Sequence, residues 1–361
     1  MIRKRFFLRS FLIAIALFVL VAFAIHFSTA QSNANIIDKK PITVIEQHES
    51  GINHPEGIAF SSSGDFIAVA NALGNTITFY KKLDDTTYET TPYFTLKNPE
   101  AQLSYPHDLS FSPDGYYLAV ANSLGTVNIY KKNPDCSFYD LSPAAIIKCD
   151  LSTLKNPHAV KYSPVENIIA VADVLKNIVS LYRYQNEKYE QIPYQIIQDS
   201  NGILNKPDGL AFSSDGELLA VTSHANHSVV FYQQIPNSQG LYSPDPVEIL
   251  QGEQTNFCFT HSVSFHPTND YLAVSSASGK YTLSIFKKTS ENFPRYSIFP
   301  EQTLEIYNPK NFHLRDQFPE EGGVKGIAFS PDGKQLSICA SDIADPGRKI
   351  LILNLKSLSS K

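Results

Sequence analysis

The chain has 361 residues, of which 43% are hydrophobic and 18% are charged, so it can bury a large core. Its net charge of −5, and the lack of a long basic run beyond the N-terminus, disfavour nucleic-acid binding. Tryptophan is absent, whereas 19 tyrosines and 23 phenylalanines supply aromatic bulk of the kind that favours strands.

The first 30 residues differ in character from the rest of the chain. Basic residues between positions 3 and 9 precede an apolar run at 11–25, and the small residues Ser28 and Ala30 precede Gln31. This order predicts a secretory signal peptide and a protein exported to the periplasm or the medium. An uncleaved anchor in the inner membrane, with the body facing the periplasm, is the alternative. Residues 31–41 are interpreted as a linker before a folded domain at 42–361.

The domain consists of six copies of one unit. The units contain PEGIAFSSSGDFIAVAN, PHDLSFSPDGYYLAVAN, PHAVKYSPVENIIAVAD, PDGLAFSSDGELLAVTS, THSVSFHPTNDYLAVSS and VKGIAFSPDGKQLSICA. Their aligned aromatic residues are Phe60, Phe111, Tyr162, Phe212, Phe265 and Phe329. Subtraction of neighbouring positions gives intervals of 51, 51, 50, 53 and 64 residues, and the last includes an insertion near residues 293–321. Repeats of this length are typical of propeller blades.

Each unit predicts four strands. The first strand is short and ends at a turn of the Ser-Pro-Asp-Gly type. The second is a continuous apolar run, which predicts a strand buried on both faces. The third alternates and ends in aromatics, often with a lysine pair after it, as at Lys81-Lys82, Lys131-Lys132 and Lys287-Lys288. Weaker fourth strands follow at 94–96, 146–148, 195–197, 248–250 and 304–306.

The chain ends predict how the ring closes. An isolated strand at Ile42–Glu46 precedes the first unit, and the last unit stops after its third strand at Ile350–Leu355. The N-terminal strand should therefore complete the last blade, which removes an open sheet edge. The predicted fold is all-β: a six-bladed β-propeller of four-stranded blades.

Four cysteines are present: Cys136, Cys149, Cys258 and Cys339. Export permits disulfides, and Cys136 and Cys149 fall within one unit, so a local bridge between them is predicted. Four free thiols are the alternative. Cys339 lies in an apolar strand and is interpreted as core.

The residue four places before each aligned aromatic is predicted to line the mouth of the central channel. These residues are Glu56, His107, His158, Asp208, His261 and Lys325. All six are ionisable. Loops between the second and third strands open on the same face and predict a polar rim. The rim candidates are Asn71, Asn122, Asp173, Ser223, His224, His227 and Arg348.

Three interpretations of this ring stay open. In the first, Glu56, His107, His158 and Asp208 hold a divalent metal ion through mixed nitrogen and oxygen ligands. In the second, the ring, with His224 and Arg348, binds a small molecule or a protein without catalysis. In the third, the side chains only satisfy backbone groups. The second interpretation is preferred. The protein is expected to be a monomer and to contact a membrane only if the N-terminal segment is an anchor. The candidate divalent ion is the one cofactor that the sequence suggests.

The repeats resemble those of the YVTN-type and lactonase-like bacterial propellers. The segment SPDGYYLAVANSLGTVNIY from Ser112 carries the likeness, and the Pro-His pairs at His107 and His158 are similar to lactonase-family entries. PEGIAF and PDGLAF also resemble entries of six-bladed gluconolactonase-type enzymes, which bind a divalent metal at the channel mouth. Histidines replace the asparagines that this family prefers, and lactonase-family propellers usually have seven blades. The resemblance implies a metal-dependent lactonase-like or esterase-like hydrolase as the alternative function. The WD-repeat signature is absent.

Overall fold

The computed structural model describes residues 35–47, 50–134, 138–148, 154–185, 188–198, 201–278, 281–306, 322–342 and 348–356. Residues 36–361 cluster as one compact unit, in which the described strands form six antiparallel sheets. These sheets are the blades of a six-bladed β-propeller, so the predicted fold class is confirmed. No helix in the described part of the chain has the length and apolar character needed to cross a membrane.

Each blade has four principal strands, counted outward from the channel, and blades are numbered in chain order. The first strands are Pro55–Phe60, Pro106–Phe111, Pro157–Tyr162, Pro207–Phe212, Thr260–Phe265 and Gly322–Phe329. The second strands are Phe66–Asn71, Tyr117–Asn122, Ile168–Asp173, Leu218–Ser223, Tyr271–Ser276 and Gln335–Asp342. The third strands are Thr76–Lys81, Thr126–Lys131, Ile178–Gln185, Ser228–Gln233, Thr282–Lys287 and Lys349–Asn354.

The fourth strands complete the blades. They are Phe94–Lys97, Ala145–Lys148, Gln195–Gln198, Glu248–Leu250, Gln302–Glu305 and, for blade 6, Thr43–Glu46. Blade 3 carries an extra short strand at Lys188–Tyr189. Two 3-10 helices, His224–Asn226 and Glu253–Thr255, lie in connecting loops.

The ring closes through the N-terminal strand, as predicted. Thr43–Glu46 pairs antiparallel with Lys349–Asn354, with Thr43 opposite Ile352 and Glu46 opposite Lys349. The strand alternates strictly between buried and exposed residues, and Ile45 is fully buried while Val44 is 36% exposed. An alternating strand of this kind places one face in a core and the other toward solvent.

The hydrophobic core lies between blades. Each of the six apolar clusters combines residues from two adjacent blades, as where Val69 of blade 1 packs with Ile350 of blade 6. The second strands are buried on both faces because each blade has a neighbour on either side; Val120 and Val171 have no exposed surface. The continuous apolar runs in the sequence follow from this arrangement.

A repeated tyrosine fastens the outer strands to the turns. Tyr88, Tyr139 and Tyr242 each donate a hydroxyl proton to the carbonyl of a turn glycine, over 2.9, 2.8 and 2.6 Å. Tyr296 makes the corresponding bond to the carbonyl of Asn269 over 3.0 Å. These bonds tie the segment after each of these third strands to the turn that follows the first strand.

The predicted cysteine bridge lies outside the described residues, because Cys136 and Cys149 both fall in gaps. Cys258 and Cys339 are free thiols, and Cys339 is fully buried in the second strand of blade 6. The proposed signal segment and residues 31–34 of the linker also fall outside the described ranges.

Candidate functional site

A β-bulge opens the first strand of every blade. The pairing register between first and second strands shifts after Pro55, Pro106, Pro157, Pro207, Thr260 and Val324. The residue after each shift is the corresponding member of the predicted ring. A bulge leaves its extra residue outside the ladder and can re-aim that side chain. The backbone of each ionisable ring residue therefore lies outside the ladder between the first and second strands, at the same point of each blade.

The residue before the first strand has a left-handed backbone in four blades, with φ angles of 58° at His54, 54° at Tyr105, 53° at Lys206 and 52° at Phe259. In blade 6 the φ angle is 98° at Gly323, the second residue of the first strand. Bulky residues other than glycine seldom adopt this conformation, and such strain concentrates at functional sites. In these blades the chain therefore enters the first strand through a backbone conformation that is locally unfavourable and is imposed by the fold.

Small residues after the ring positions let neighbouring inner strands approach closely. A Cβ added at Gly209 would lie 2.5 Å from the carbonyl oxygen of His261, and one at Gly326 would lie 2.5 Å from that of Glu56. Neither contact is tolerable without backbone movement. These two glycines consequently allow the ring side chains to converge across blade boundaries.

Glu56 is the centre of the cluster and is only 3% exposed. Its Oε2 lies 3.5 Å from Nε2 of His107, 3.3 Å from Nε2 of His261 and 3.4 Å from Nζ of Lys325. Its Oε1 lies 2.8 Å from Nε2 of His54. One carboxylate therefore contacts side chains from three other blades and one from its own.

Asp208 gathers the other half of the ring. Its Oδ1 lies 3.0 Å from Nδ1 of His158, and its Oδ2 lies 3.3 Å from Nδ1 of His224. The same Oδ2 is 3.8 Å from Nε2 of His261, which therefore stands between the two carboxylates. His107 stacks on His158 with ring centroids 3.8 Å apart, and this stack links both halves.

The carboxylates are ionised and two of the histidines are neutral. Burial opposes the charge of Glu56, yet the ammonium group of Lys325 holds the pKa of this carboxyl well below its usual value. Burial also opposes the charge of Asp208, but His261 and His158 hold its pKa below the usual value. Burial lowers the pKa of His107 well below its usual value, and that of His224 to about 4. Carboxylate and neutral imidazole are the forms that bind metal ions.

Three buried atoms in the cluster have no hydrogen-bond partner among the described residues: Glu56 Oε2, His261 Nδ1 and His261 Nε2. Their contacts at 3.3 Å between Nε2 of His261 and Oε2 of Glu56, and at 3.4 Å between this oxygen and Nζ of Lys325, are ion-pair contacts. Buried polar atoms are nearly always satisfied, so these atoms point to a group that they would bind.

The ligand-type atoms form two overlapping sets. Glu56, His107 and His261 make one, and His107, His158 and Asp208 make the other, with all atoms of a set within 4.8 Å of one another. Ligands about 2.0–2.2 Å from a tetrahedral zinc ion lie roughly 3.3–3.6 Å apart. The distances of 3.5 and 3.3 Å from Glu56 Oε2 to the two imidazoles fit this spacing.

The predicted polar rim is mainly structural. Asn71 accepts a hydrogen bond from the backbone N–H of Asn53 over 3.1 Å, and Asn122 accepts one from Ser104 over 2.9 Å. Asp173, Ser223 and Ser276 make corresponding bonds to the backbone in blades 3, 4 and 5. These side chains hold the loop that leads into each first strand.

The remaining rim candidates separate into two groups. His224 joins the ring through Asp208. His227 accepts a backbone N–H from Phe259 over 2.7 Å, and Arg348 donates to the side chain of Asn53 over 3.0 Å. Among the described contacts, neither His227 nor Arg348 pairs with a ring carboxylate.

Sequence reasoning missed His54, which directly contacts Glu56. His54 lies outside the aligned ring position, and its side chain reaches the cluster only because its backbone is left-handed. A histidine two residues before the ring acid, in His-Pro-Glu-Gly, was the available indication.

Comparisons with known proteins reveal likeness of fold only. No protein-family model matches the sequence, and no curated protein matches it either. One similar solved structure is a chain titled "Crystal Structure of Mitotic Checkpoint Complex", 14% identical, with a TM-score of 0.57. The alignment covers 90% of this chain and 94% of that chain. At this identity the match shows a shared propeller architecture and carries no function across.

Proposed function

We propose that this protein is an exported propeller that binds a small ligand at the channel mouth through a divalent metal ion. Glu56, His107 and His261 would hold the ion, with Asp208 nearby. The observation that carries the proposal is the trio of buried, unsatisfied ligand atoms on Glu56 and His261. The distances from Oε2 of Glu56 to Nε2 of His107 and to Nε2 of His261 match those between ligands of a tetrahedral nitrogen and oxygen site.

Charge supports the same proposal. Of the described contacts that the two ring carboxylates make, the only one with a lysine or arginine joins Glu56 to Lys325, whose side chain is 7% exposed. A bound cation would add positive charge beside both buried carboxylates, and buried charges need such pairing. A bound divalent ion would supply an electron-accepting centre for an oxygen of the ligand. Lys325 would attract a negatively charged group on that ligand.

Metal content of the purified mature protein tests the proposal. We expect about one Zn²⁺ or similar ion per chain by elemental analysis after dialysis against a metal-buffered solution. The double variant His107→Ala/His261→Ala is expected to retain its fold by circular dichroism and to carry no ion. Absence of bound metal in the unaltered protein, before and after Zn²⁺ addition, would contradict the proposal.

Export is supported by residues 1–30, whose basic start, apolar run and small residues have the order of a signal peptide. We expect the mature protein from a bacterial host to begin near Gln31, measured by N-terminal sequencing of the periplasmic fraction. Intact Met1 protein in the membrane fraction would favour the anchor instead. Intact protein in the cytoplasm would contradict export.

A hydrolase acting on lactones or esters is the second candidate, favoured by the His158–Asp208 pair. The side chain of His158 is 22% exposed, whereas those of Glu56, His107 and His261 are 3–7% exposed. Asp208 holds Nδ1 of His158, and a carboxylate in this position fixes the tautomer that leaves Nε2 as a general base. The resemblance to lactonase-like propellers supports the same reaction class.

The His158→Gln variant tests the hydrolase. General bases contribute roughly 10²–10⁴-fold to rate, so hydrolysis of a lactone substrate should fall at least about 100-fold. The metal content should be unchanged, because His158 lies outside the Glu56–His107–His261 set. Lack of turnover by the metal-loaded, unaltered protein on a panel of lactones and esters would leave binding as the function.

A further inference from the structure

Two cavities occupy corresponding places between adjacent blades, at the ends of the first strands and therefore away from the channel mouth. The cavity between blades 1 and 2 has a volume of about 450 Å³, and its lining includes Lys81, Lys82 and Lys132. The cavity between blades 2 and 3 has a volume of about 280 Å³. It is lined by four tyrosines: Tyr117, Tyr162, Tyr184 and Tyr189. We call it the tyrosine cavity.

A local change in blade 3 explains why its cavity is lined by tyrosines where the cavity between blades 1 and 2 has lysines. Its third strand extends to Gln185, and Tyr184 pairs there with Tyr189 of the extra strand. Tyr184 stands two residues after Tyr182, as Lys82 stands two residues after Tyr80, and Tyr80 and Tyr182 share the same register. The lysine that follows the third strand in blades 1, 2 and 5 is therefore a tyrosine here.

Arg183, next to Tyr184, does not bring a positive charge into the cavity. Its guanidinium lies 3.9 Å from the centroid of the Tyr194 ring and donates to the carbonyl of Gln239 over 3.2 Å. Among the described residues that line the tyrosine cavity, none is a lysine, arginine or histidine.

The tyrosine rings form a fixed wall. The ring centroids of Tyr184 and Tyr189 are 4.7 Å apart, and those of Tyr117 and Tyr189 are 6.2 Å apart at an interplanar angle of 85°. The hydroxyl oxygens bond to one another, over 2.8 Å between Tyr162 and Tyr189 and 3.2 Å between Tyr117 and Tyr184. Paired hydroxyls fix the ring orientations before any ligand arrives.

The charged residues in the lining of the tyrosine cavity are both acidic: Asp114 and Glu166. Asp114 accepts a hydrogen bond from Ser112 Oγ over 2.5 Å and one from the backbone N–H of Tyr116 over 2.9 Å, so its carboxylate is held in place. Aromatic faces attract cations through their quadrupole, and several rings around one site recognise alkylammonium groups. Nearby carboxylates add to that attraction.

We propose that the tyrosine cavity binds a small organic cation of the alkylammonium class. Its volume lies just below the usual range of roughly 300–1,000 Å³ for ligand pockets, which suits a small headgroup. The lining of the corresponding cavity between blades 1 and 2 carries three lysines against two acids, Asp65 and Asp114, so its charge disfavours such a ligand. The site shares no residue with the channel mouth and does not depend on the proposed metal.

Titration calorimetry with choline tests the inference, with 3,3-dimethyl-1-butanol as the neutral probe of the same shape. We expect choline to bind at least about tenfold more tightly than the alcohol, a ratio that equals about 1.4 kcal/mol. Equal binding of the two probes would identify an apolar cavity and overturn the proposal. Binding of a neutral sugar in preference to choline, or no choline binding below 10 mM, roughly −2.7 kcal/mol, would overturn it as well.

Variants at Tyr184 locate the site. Tyr184→Lys restores the residue type of blades 1, 2 and 5, so we expect it to fold and to bind choline at least about tenfold more weakly. Tyr184→Phe keeps the ring and should bind within about threefold of the unaltered protein. Tyr93→Ala, in the lysine-lined cavity, should leave choline affinity unchanged. Loss of binding in Tyr93→Ala with retention in Tyr184→Lys would overturn the assignment.

Discussion

The His261→Ala variant is expected to bind Zn²⁺ at least about 100-fold more weakly than the unaltered protein. Groups that merely support a metal ligand contribute about 10–100-fold to affinity, so loss of a ligand nitrogen should reach at least the upper end. His261 is 4% exposed, and its Nε2 lies between Glu56 and Asp208 at 3.3 and 3.8 Å. Titration calorimetry on chelator-treated protein measures the change.

His227→Ala is the matched control. His227 belongs to the neighbouring loop of blade 4, and its ring contacts Phe259 with centroids 4.6 Å apart. Because His227 pairs with no ring carboxylate among the described contacts, its loss should leave the affinity for Zn²⁺ unchanged. Loss of Zn²⁺ binding in His158→Ala but not in His261→Ala would place the ion in the His107–His158–Asp208 set. That result would contradict a site formed by Glu56, His107 and His261.

The fold could be predicted from sequence because local patterns repeat. The Ser-Pro-Asp-Gly turns, the apolar second strands and the six-fold recurrence each indicate the same architecture, and agreement between such levels is strong evidence for a fold. The closing strand could also be predicted, since an unpaired strand at one end matched a three-stranded unit at the other. Strand ends differed by one or two residues, as at Gln302–Glu305, because terminal pairing depends on contacts beyond the local pattern.

The ring membership followed from alignment, but its internal pairing did not. The sequence singled out Glu56, His107, His158 and Asp208 as candidate metal ligands, whereas in the structure Glu56 and His261 are central and the side chain of His158 is the more exposed. The cause is three-dimensional: the lengths and rotamers of side chains from opposite blades decide which atoms meet. His54 could not be placed because it lies outside the aligned ring position and its backbone is left-handed, a conformation that the sequence pattern does not specify.

Substitution of Ile45 by aspartate should destabilise the protein by about 4 kcal/mol or more. Ile45 is fully buried in the apolar cluster between blades 6 and 1, opposite Ile350 in the closing pair. A carboxylate there has no partner and loses its hydration. The same change weakens the contact that joins the first and last blades, so the midpoint of thermal unfolding should fall by on the order of 10 °C.

Val44→Asp is the matched control for this variant, because the same substitution is made one residue earlier on the outer face. Val44 is 36% exposed, so an aspartate there keeps its hydration and should change the free energy of unfolding by less than about 1 kcal/mol. Equal losses in both variants would mean that the strand does not hold the register with Lys349–Asn354. Small changes in both would mean that the ring stays closed without this strand, and that the interfaces between the other blades are sufficient.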